Sequence, residues 1–234
     1  MGVFRRLLLA ALCAGLVAGV VAALAHQLGT VPLILQAETY EKPAAQAGQA
    51  GHAHEHAAPA EWEPENGVER IGYTLVADLL TGIGFALLLA AGLALRGGDA
   101  DWHYGLFWGL AGFAAFTLAP GIGLPPELPG SEAGPLLARQ FWWVTTAAAT
   151  AGGLALLAFT RSPVYAVLAA ALIVLPHVCG APQAGEHAGA HAGTAPEALA
   201  RQFAVAATLV SFLFWCALGA ATGYFYRRFQ PQSG

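Results

Sequence analysis

Charged side chains are scarce in this sequence. Asp, Glu, Lys and Arg together make up 10% of its 234 residues, whereas soluble domains carry about 25%. Hydrophobic residues make up 57%, so too few charges remain to cover a water-soluble surface of this size. The composition therefore predicts an integral membrane protein that contacts the lipid bilayer.

Basic residues are few, and cysteine pairs and phosphate-binding loops are absent from the sequence. The chain has ten Lys and Arg and a net charge of -4, which excludes a basic face for nucleic acid. It contains no G-x-x-x-x-G-K-[ST] run, which excludes ATP hydrolysis through a P-loop. Its three cysteines form no C-x-x-C pair, which excludes a cysteine zinc finger. Because convincing G-x-S-x-G and H-E-x-x-H motifs are absent too, we do not expect an enzyme.

Six apolar stretches are candidates to cross a membrane as helices, and one of them, residues 163–179, is short. A span needs about 20 residues for roughly 30 Å of hydrocarbon, and lipid offers the backbone no hydrogen-bond partner outside the helix. The sequence predicts an all-α, polytopic membrane bundle of six transmembrane helices, one domain made of hairpins 5–98, 103–161 and 163–229. The six stretches are residues 7–25, 71–95, 104–123, 141–160, 163–179 and 203–226.

The first stretch also resembles a signal peptide. Two arginines precede an apolar run that ends in A-L-A at 23–25, an A-x-A cleavage pattern. The apolar region of a signal peptide usually has about 7 to 15 residues, and this run is longer. We therefore expect this helix to be retained. Its Gly15-x-x-x-Gly19 spacing, like the pairs at 105/109 and 219/223, predicts close helix packing.

Positive charges favour a cytoplasmic location of both termini. With six alternating helices, one side carries Arg5, Arg6, Arg96, Arg161, Arg227 and Arg228, and the other carries Lys42, Arg70, Arg139 and Arg201. Cytoplasmic loops are enriched in Lys and Arg, so the first side is the cytoplasm. The outer connections 42–66 and 181–197 are then rich in His, and their Ala and Gly content predicts disorder.

The second and third hairpins share a sequence repeat. A-R-Q-F occurs at 138–141 and again at 200–203, each time at the start of the returning helix. The first hairpin has a weaker counterpart at 69–73. We expect three repeated hairpins in a pseudo-threefold arrangement, with the substrate path where the repeats meet.

An arginine opens each of the three returning helices. These are Arg70, Arg139 and Arg201, and Gln140 and Gln202 follow two of them. One interpretation is that the arginines snorkel among lipid head groups. The other is that they pair with Glu38, Glu127 and Glu197 and shape the outer mouth of a transport path.

Histidines concentrate in the two outer connections. His52, His54 and His56 alternate along the chain, so an extended segment presents all three to one side. His187 and His191 stand four apart in the other connection. Imidazole nitrogen is a ligand for divalent transition metals, so we predict that these residues collect a divalent metal ion. The alternative is a solvated loop whose histidines have no task.

Polar residues also occur at or within the apolar helices. His177 stands two residues before Cys179 at an outer helix end, and His26 ends the first helix. Both are candidates for metal entry, with ordinary packing as the alternative. Asp78 is the one acidic residue inside a predicted span, and such residues are costly and face a polar interior. We predict that Asp78 lines the transport path, with a structural hydrogen bond as the alternative.

Longer motifs resemble one membrane protein family. They are F-R-R-L-L at 4–8, P-L-I-L-Q-A-E-T-Y-E at 32–41, G-L-F-W-G-L-A-G-F at 105–113, A-P-G-I-G-L-P-P-E-L-P-G at 119–130 and R-Q-F-W-W at 139–143. Together they resemble CbtA, a family of predicted cobalt transporter subunits, over nearly the whole chain. The G-L-P-P-E-L-P-G stretch is the most specific of these motifs.

The resemblance implies a bacterial inner-membrane protein that takes up cobalt for cobalamin synthesis. It also implies a partner, a small single-span protein with a His-rich tail (CbtB). The site positions that it implies are Glu38, Glu41, Pro120, Pro125, Pro126, Glu127, Arg139 and Gln140. The two His-rich connections are accessory to this pattern.

Three functions stay open on the sequence. The leading one is the membrane subunit of a divalent metal uptake transporter, with cobalt or nickel as transported substrate and no permanently bound cofactor. One alternative is a membrane haem protein for electron transfer, with His26 and His177 as axial ligands. The other is a noncatalytic scaffold subunit of another permease. A homo-oligomer is compatible with each of them.

Overall fold

The computed structural model describes residues 2–49, 64–65, 67–98, 100–129, 131, 134–182 and 195–230, and the side chains in these ranges apart from those of 41–49. All regular elements in this described part are helices, so the predicted all-α class is confirmed. In chain order they are α1 (Val3–Gly29), α2 (Val31–Gln49), α3 (Val68–Arg96), α4 (Trp102–Phe113), a π-helical turn (Ala114–Leu118), α5 (Ala119–Gly123), α6 (Leu136–Phe159), α7 (Pro163–Cys179) and α8 (Glu197–Arg228).

Five helices of the described chain are long and apolar enough to cross a membrane. They are α1, α3, the continuous helix Trp102–Gly123, α6 and α8. The sixth predicted span, α7, is apolar, but its 17 residues extend about 25 Å, less than the hydrocarbon core of a typical bilayer. The multi-span membrane bundle is therefore confirmed, whereas the count of six spans is not.

Small residues bring α1 and α3 to backbone contact. Ala11, Ala14 and Ala18 of α1 are fully buried, and a Cβ at Gly15 would lie 2.5 Å from the Ile83 backbone. Because lipid chains are as apolar as the helices, helix association in a membrane depends on close van der Waals packing, which small side chains permit. The predicted packing role of Gly15 is thereby confirmed.

The two other glycine pairs face each other across α4 and α8. A Cβ at Gly223 would lie 2.9 Å from the Gly105 Cα, and one at Gly219 would lie 2.7 Å from the Gly109 Cα. The backbones of the two helices therefore touch directly. The close packing predicted for these glycines is confirmed. Gly105 and Gly109 of α4 pack against Gly219 and Gly223 of α8.

The three predicted hairpins do not share one packing pattern. In the first hairpin α1 lies along α3, but α4 of the second packs mainly on α8 of the third, and α6 packs mainly on α7. The helices pair through their small-residue faces, and these faces join different hairpins. The pseudo-threefold arrangement is therefore not confirmed.

A methyl group at position 82 is expected to force α1 and α3 apart. A Cβ there would lie 2.5 Å from the Gly15 carbonyl oxygen, whereas a Cβ at Gly84 on the same helix meets open space. We expect Gly82→Ala to destabilise the protein by about 1–3 kcal/mol, as overpacking does in other cores. Gly84→Ala is the matched control and should keep the wild-type melting temperature. Thermal unfolding of the detergent-purified variants measures both, and equal melting temperatures would contradict the α1–α3 contact.

Candidate cation entry cavity and polar pocket

The three predicted arginine–glutamate pairs all form. They are Arg70 Nη1 with Glu38 Oε1 at 2.7 Å, Arg139 Nη2 with Glu127 Oε2 at 2.7 Å, and Arg201 with Glu197 one turn earlier on α8. Of the two interpretations drawn from the sequence, pairing is the one confirmed. The part of these pairs in transport stays a prediction.

The pairs differ in what they join and in how much solvent reaches them. Arg70 and Glu38 link α3 to α2, and each side chain is 21% exposed. Arg201 and Glu197 share one helix and are 67% and 84% exposed, so water and salt screen their attraction. The first pair therefore contributes more to the fold than the last.

An apolar cluster keeps the three glutamates at one end of the bundle. Ala37 of α2, Leu128 of the segment after α5, and Leu199 of α8 are buried against one another. Each of these residues lies one or two positions from a glutamate of an ion pair. The three pairs therefore lie next to a single apolar contact between separate segments.

A cavity of about 780 Å³ opens beside the Arg139–Glu127 pair. This entry cavity lies between the proline-rich segment after α5, the start of α6 and the π-helical turn. Its lining includes Phe116, Thr117, Pro125, Pro126, Glu127, Arg139, Gln140 and Trp143. Five of these residues, from Pro125 to Gln140 in that order, are ones that the sequence singled out, and the structure brings them to one wall.

A second cavity, of about 320 Å³, lies between α1, α3, the π-helical turn and α8. This polar pocket is lined by His26, Asp78, Thr81, Thr117 and Ser211 together with aromatic side chains. His26 Nε2 lies 3.8 Å from Asp78 Oδ1, and the Thr117 and Ser211 hydroxyl oxygens are 2.7 Å apart. The two path residues predicted within the helices, Asp78 and His26, thus meet at one place.

The π-helical turn lies where the two cavities adjoin. Phe116, Thr117 and Trp143 line both the entry cavity and the polar pocket. Pro120 has no N–H for the carbonyl group of Phe116 four residues earlier, so the α-helical ladder is interrupted here. Single π turns inside helices occur frequently at functional sites. Pro120 itself is buried at the start of α5 and does not line either cavity.

Three packed aromatic rings belong to the lining of the polar pocket. Phe85, Phe116 and Trp215 lie with ring centroids 4.8 to 5.6 Å apart. Phe85 follows Asp78 on α3 by two helical turns, about 10 Å further from the ion-pair end. Phe85 and Trp215 therefore line the polar pocket, and Phe116 lines both this pocket and the entry cavity.

Other residues that the sequence singled out lie away from both cavities. The His177 ring packs against Trp142 with centroids 6.0 Å apart, and Cys179 is exposed. Gln202, like Arg201, is exposed on α8. The structure does not bring these side chains to the entry cavity or the polar pocket in the part of the chain that it describes.

The predicted metal-collecting histidines lie outside the described residues. They are His52, His54, His56, His187 and His191, and the side chain of Glu41 is outside them as well. Within the described residues, no group of three or more His, Cys, Asp or Glu side chains is placed to hold a metal ion. Their role in metal collection therefore stays a prediction.

A comparison with known protein families tests the resemblance to CbtA that the sequence motifs indicated. The family model described as probable cobalt transporter subunit (CbtA) matches residues 4–227. The chain belongs to the CbtA family. No curated protein and no solved structure matches it. In this CbtA protein, residues 124–129 of the most specific sequence motif line the entry cavity.

Three hydroxyl residues near the site were not singled out by the sequence. Thr117 and Ser211 line the polar pocket, and Thr30 holds the His26 ring. Hydroxyl side chains are ordinary in apolar helices, so their types carry no signal. The sequence did contain one signal for Thr117. It stands about one turn before Pro120, and a proline disturbs the helix in the turn that precedes it.

Loss of the Arg70–Glu38 pair is expected to destabilise the bundle. Glu38→Gln would leave a partly buried guanidinium with a weaker partner, and Arg70 Nε already has none in the described part. We expect a loss of about 1–3 kcal/mol. Glu197→Gln, at the exposed pair, should cost less than about 0.5 kcal/mol. Thermal unfolding of both variants in detergent tests this, and a larger loss for Glu197→Gln would refute the assignment.

Proposed function

We propose that this chain is the transmembrane subunit through which cobalt enters the cell for cobalamin synthesis. The family supports the class, a subunit of a cobalt transporter. The observation that carries the proposal is the adjacency of two cavities. The entry cavity holds Glu127, the polar pocket holds His26 and Asp78, and Thr117 lines both.

The proposed route begins at the His-rich outer connections. His52, His54, His56, His187 and His191 collect the ion, and Glu38, Glu41 and Glu127 give the mouth its carboxylates. Glu127 attracts the hydrated dication into the entry cavity. Exchange of water for protein ligands follows at the polar pocket, where Asp78 supplies negative charge away from bulk solvent.

The proposed topology has six crossings with both termini in the cytoplasm of a bacterial inner membrane. In it α7 is a short crossing that packs along α6, and local thinning of the bilayer compensates for its length. The ion-pair end with Arg70, Arg139 and Arg201 then faces outward. An inside-negative potential drives a dication inward with roughly 4.6 kcal/mol per 100 mV, counting two charges.

The proposal includes a partner. A small single-span protein with a His-rich tail (CbtB) accompanies this chain, since the family is described as a transporter subunit. Homo-oligomer formation is the alternative assembly. The ligand types of the pocket, nitrogen and oxygen, suit cobalt and nickel alike, so the choice of cobalt rests on the family.

The geometry does not favour a haem protein. His26 lines the polar pocket, where its ring nitrogens face Thr30 and Asp78, and His177 packs against Trp142 away from that pocket. Two axial ligands must face one haem from opposite sides. A noncatalytic scaffold subunit remains the second candidate, and uptake by this chain alone would exclude it.

Uptake of radioactive cobalt into liposomes that hold only this chain tests the proposal. With an imposed inside-negative potential we expect cobalt to enter, and nickel to compete. Glu127→Gln should lower uptake about tenfold, because one negative charge at the entry is worth roughly 1.4 kcal/mol of local attraction. Glu197→Gln, which removes a glutamate from the exposed pair, is the matched control and should transport normally. Equal uptake by the two variants would contradict a role for the entry cavity.

A charge exchange separates ion attraction from ion pairing. The double variant Glu127→Arg with Arg139→Glu keeps a pair across the entry cavity but moves the carboxylate to α6. If Glu127 acts only by pairing, the double variant should recover most of the uptake that Glu127→Arg loses. We expect uptake to stay below half of wild type, because the position of the carboxylate matters. Full recovery, measured in the same liposomes, would make the pair purely structural.

A further inference from the structure

The ring of His26 is held in one orientation by Thr30. Thr30 Oγ1 donates its single proton to the His26 carbonyl oxygen at 3.3 Å. The same hydroxyl oxygen lies 2.8 Å from His26 Nδ1. A hydroxyl group that donates to the carbonyl oxygen accepts at Nδ1, and in that arrangement Nδ1 carries the hydrogen. In the neutral imidazole, Nε2 is then the nitrogen with the free lone pair.

His26 Nε2 lies near a carboxylate without a hydrogen bond between them. His26 Nε2 and Asp78 Oδ1 are 3.8 Å apart, beyond hydrogen-bond distance. Asp78 Oδ2 is buried and has no hydrogen-bond partner in the described part of the chain. A buried carboxylate oxygen without a partner is costly. Two electron-rich groups that face each other across a gap are satisfied by a cation placed between them.

Two hydroxyl groups in the lining of the polar pocket supply further oxygen atoms. Thr117 and Ser211 come from the π-helical turn and from α8, and their hydroxyl groups bond each other at 2.7 Å. Each has lone pairs to offer. The volume of about 320 Å³ exceeds that of a bare ion, since one water occupies about 30 Å³. A cation bound here therefore keeps part of its water.

We propose that the polar pocket is a binding site for a partly hydrated divalent cation, with His26 Nε2 and the Asp78 carboxylate as its protein ligands. Two donors bonded to one ion at about 2.0–2.2 Å in tetrahedral geometry lie about 3.3–3.6 Å apart, so a small side-chain movement brings the pair from 3.8 Å to this separation. Thr117 and Ser211 complete the ligand set, directly or through water. Thr30 is a positioning residue that presents Nε2 to the ion, as partners of metal-bound histidines do.

The ligand set selects a class of metal. The residues that line the polar pocket include nitrogen and oxygen donors but no Cys or Met, so it suits Co²⁺, Ni²⁺ or Zn²⁺ and disfavours the soft ion Cu⁺. This inference rests on the proposed function only in naming the transported ion as the occupant. Binding to the site is measured without transport, so the cation site and the proposed transport function can fail separately.

The test uses the full chain in lipid nanodiscs, with the five loop histidines (52, 54, 56, 187 and 191) replaced by Gln. Titration calorimetry with Co²⁺ should then show one site per chain. His26→Gln and Asp78→Asn, both close in size to the native residues, should each weaken binding at least 100-fold. Ser211→Ala and Thr117→Val should each weaken it about 3- to 10-fold, because each removes one neutral oxygen.

A second histidine–aspartate pair provides the matched control. His103 Nδ1 lies 3.3 Å from Asp101 Oδ2 at the start of α4, and both side chains are exposed. The backbone N–H of Tyr104 donates to Asp101 and lowers the pKa of that carboxyl group. His103→Gln and Asp101→Asn should leave Co²⁺ binding unchanged. Equal effects of the two pairs would show that any histidine–aspartate pair collects the ion and would overturn the site.

The positioning role of Thr30 has its own readout. In protein with ¹⁵N-labelled histidine and the loop histidines replaced, the metal-free His26 ring should show the Nδ1–H tautomer. Thr30→Val should give a mixture of tautomers and about 10- to 100-fold weaker Co²⁺ binding, and Thr30→Ser should restore both. If Thr30→Val leaves the tautomer of the His26 ring unchanged, Thr30 does not position that ring.

The outcomes separate the site from the proposed function. A d–d absorption band of bound Co²⁺ that disappears in His26→Gln supports the site, whereas unchanged binding in Asp78→Asn, or no binding once the loop histidines are replaced, overturns it. Cobalt uptake that persists without binding here keeps the transport function and removes the site. Binding here without uptake by the chain keeps the site and removes transport by this chain.

Discussion

The backbone contact between α1 and α3 determines the geometry of the polar pocket. A Cβ at Gly19 would lie 2.9 Å from the Asp78 carbonyl oxygen, so the absence of a side chain sets the register of the two helices at that level. His26 follows Gly19 by about two turns. Side chains tilt toward the N-terminus of their own helix, and because the two helices run in opposite directions, His26 and Asp78 lean toward each other.

The same glycine contacts explain why polar groups are collected in one place. α8 packs on both α1 and α4, and it carries Ser211 to the pocket that Asp78 also lines. The π-helical turn before Pro120 brings Thr117 to Ser211. Lipid does not solvate such groups, and their burial within the bundle lets them satisfy one another or a cation. The aromatic rings of Phe85 and Trp215 then separate this polar region from the rest of the helix interior.

The ion-pair end has a different organisation. There the segments meet through the apolar cluster of Ala37, Leu128 and Leu199, and ion pairs surround it. The Arg70–Glu38 pair joins two helices and the Arg139–Glu127 pair joins the proline-rich segment to α6. Because prolines keep that segment out of a helix, Glu127 lies in the lining of a large cavity. The cavity beside the polar pocket is therefore lined by a charged but balanced pair, Arg139 and Glu127.

Composition and local spacing determined the all-α membrane class and the close packing at the glycine pairs, because these depend on residue type and on positions near in sequence. For the arginines the sequence offered pairing as one of two interpretations, and the structure decided it, since Arg70 and Glu38 are 32 residues apart in the chain. Asp78 was recognisable because a charge inside an apolar stretch is costly wherever the helix packs. Only the tertiary structure decided that α4 packs on α8 and α6 on α7, and that His26, Thr117 and Ser211 join Asp78. These outcomes depend on which small-residue face meets which partner, and several apolar helices offer nearly equal alternatives until all of them are packed together.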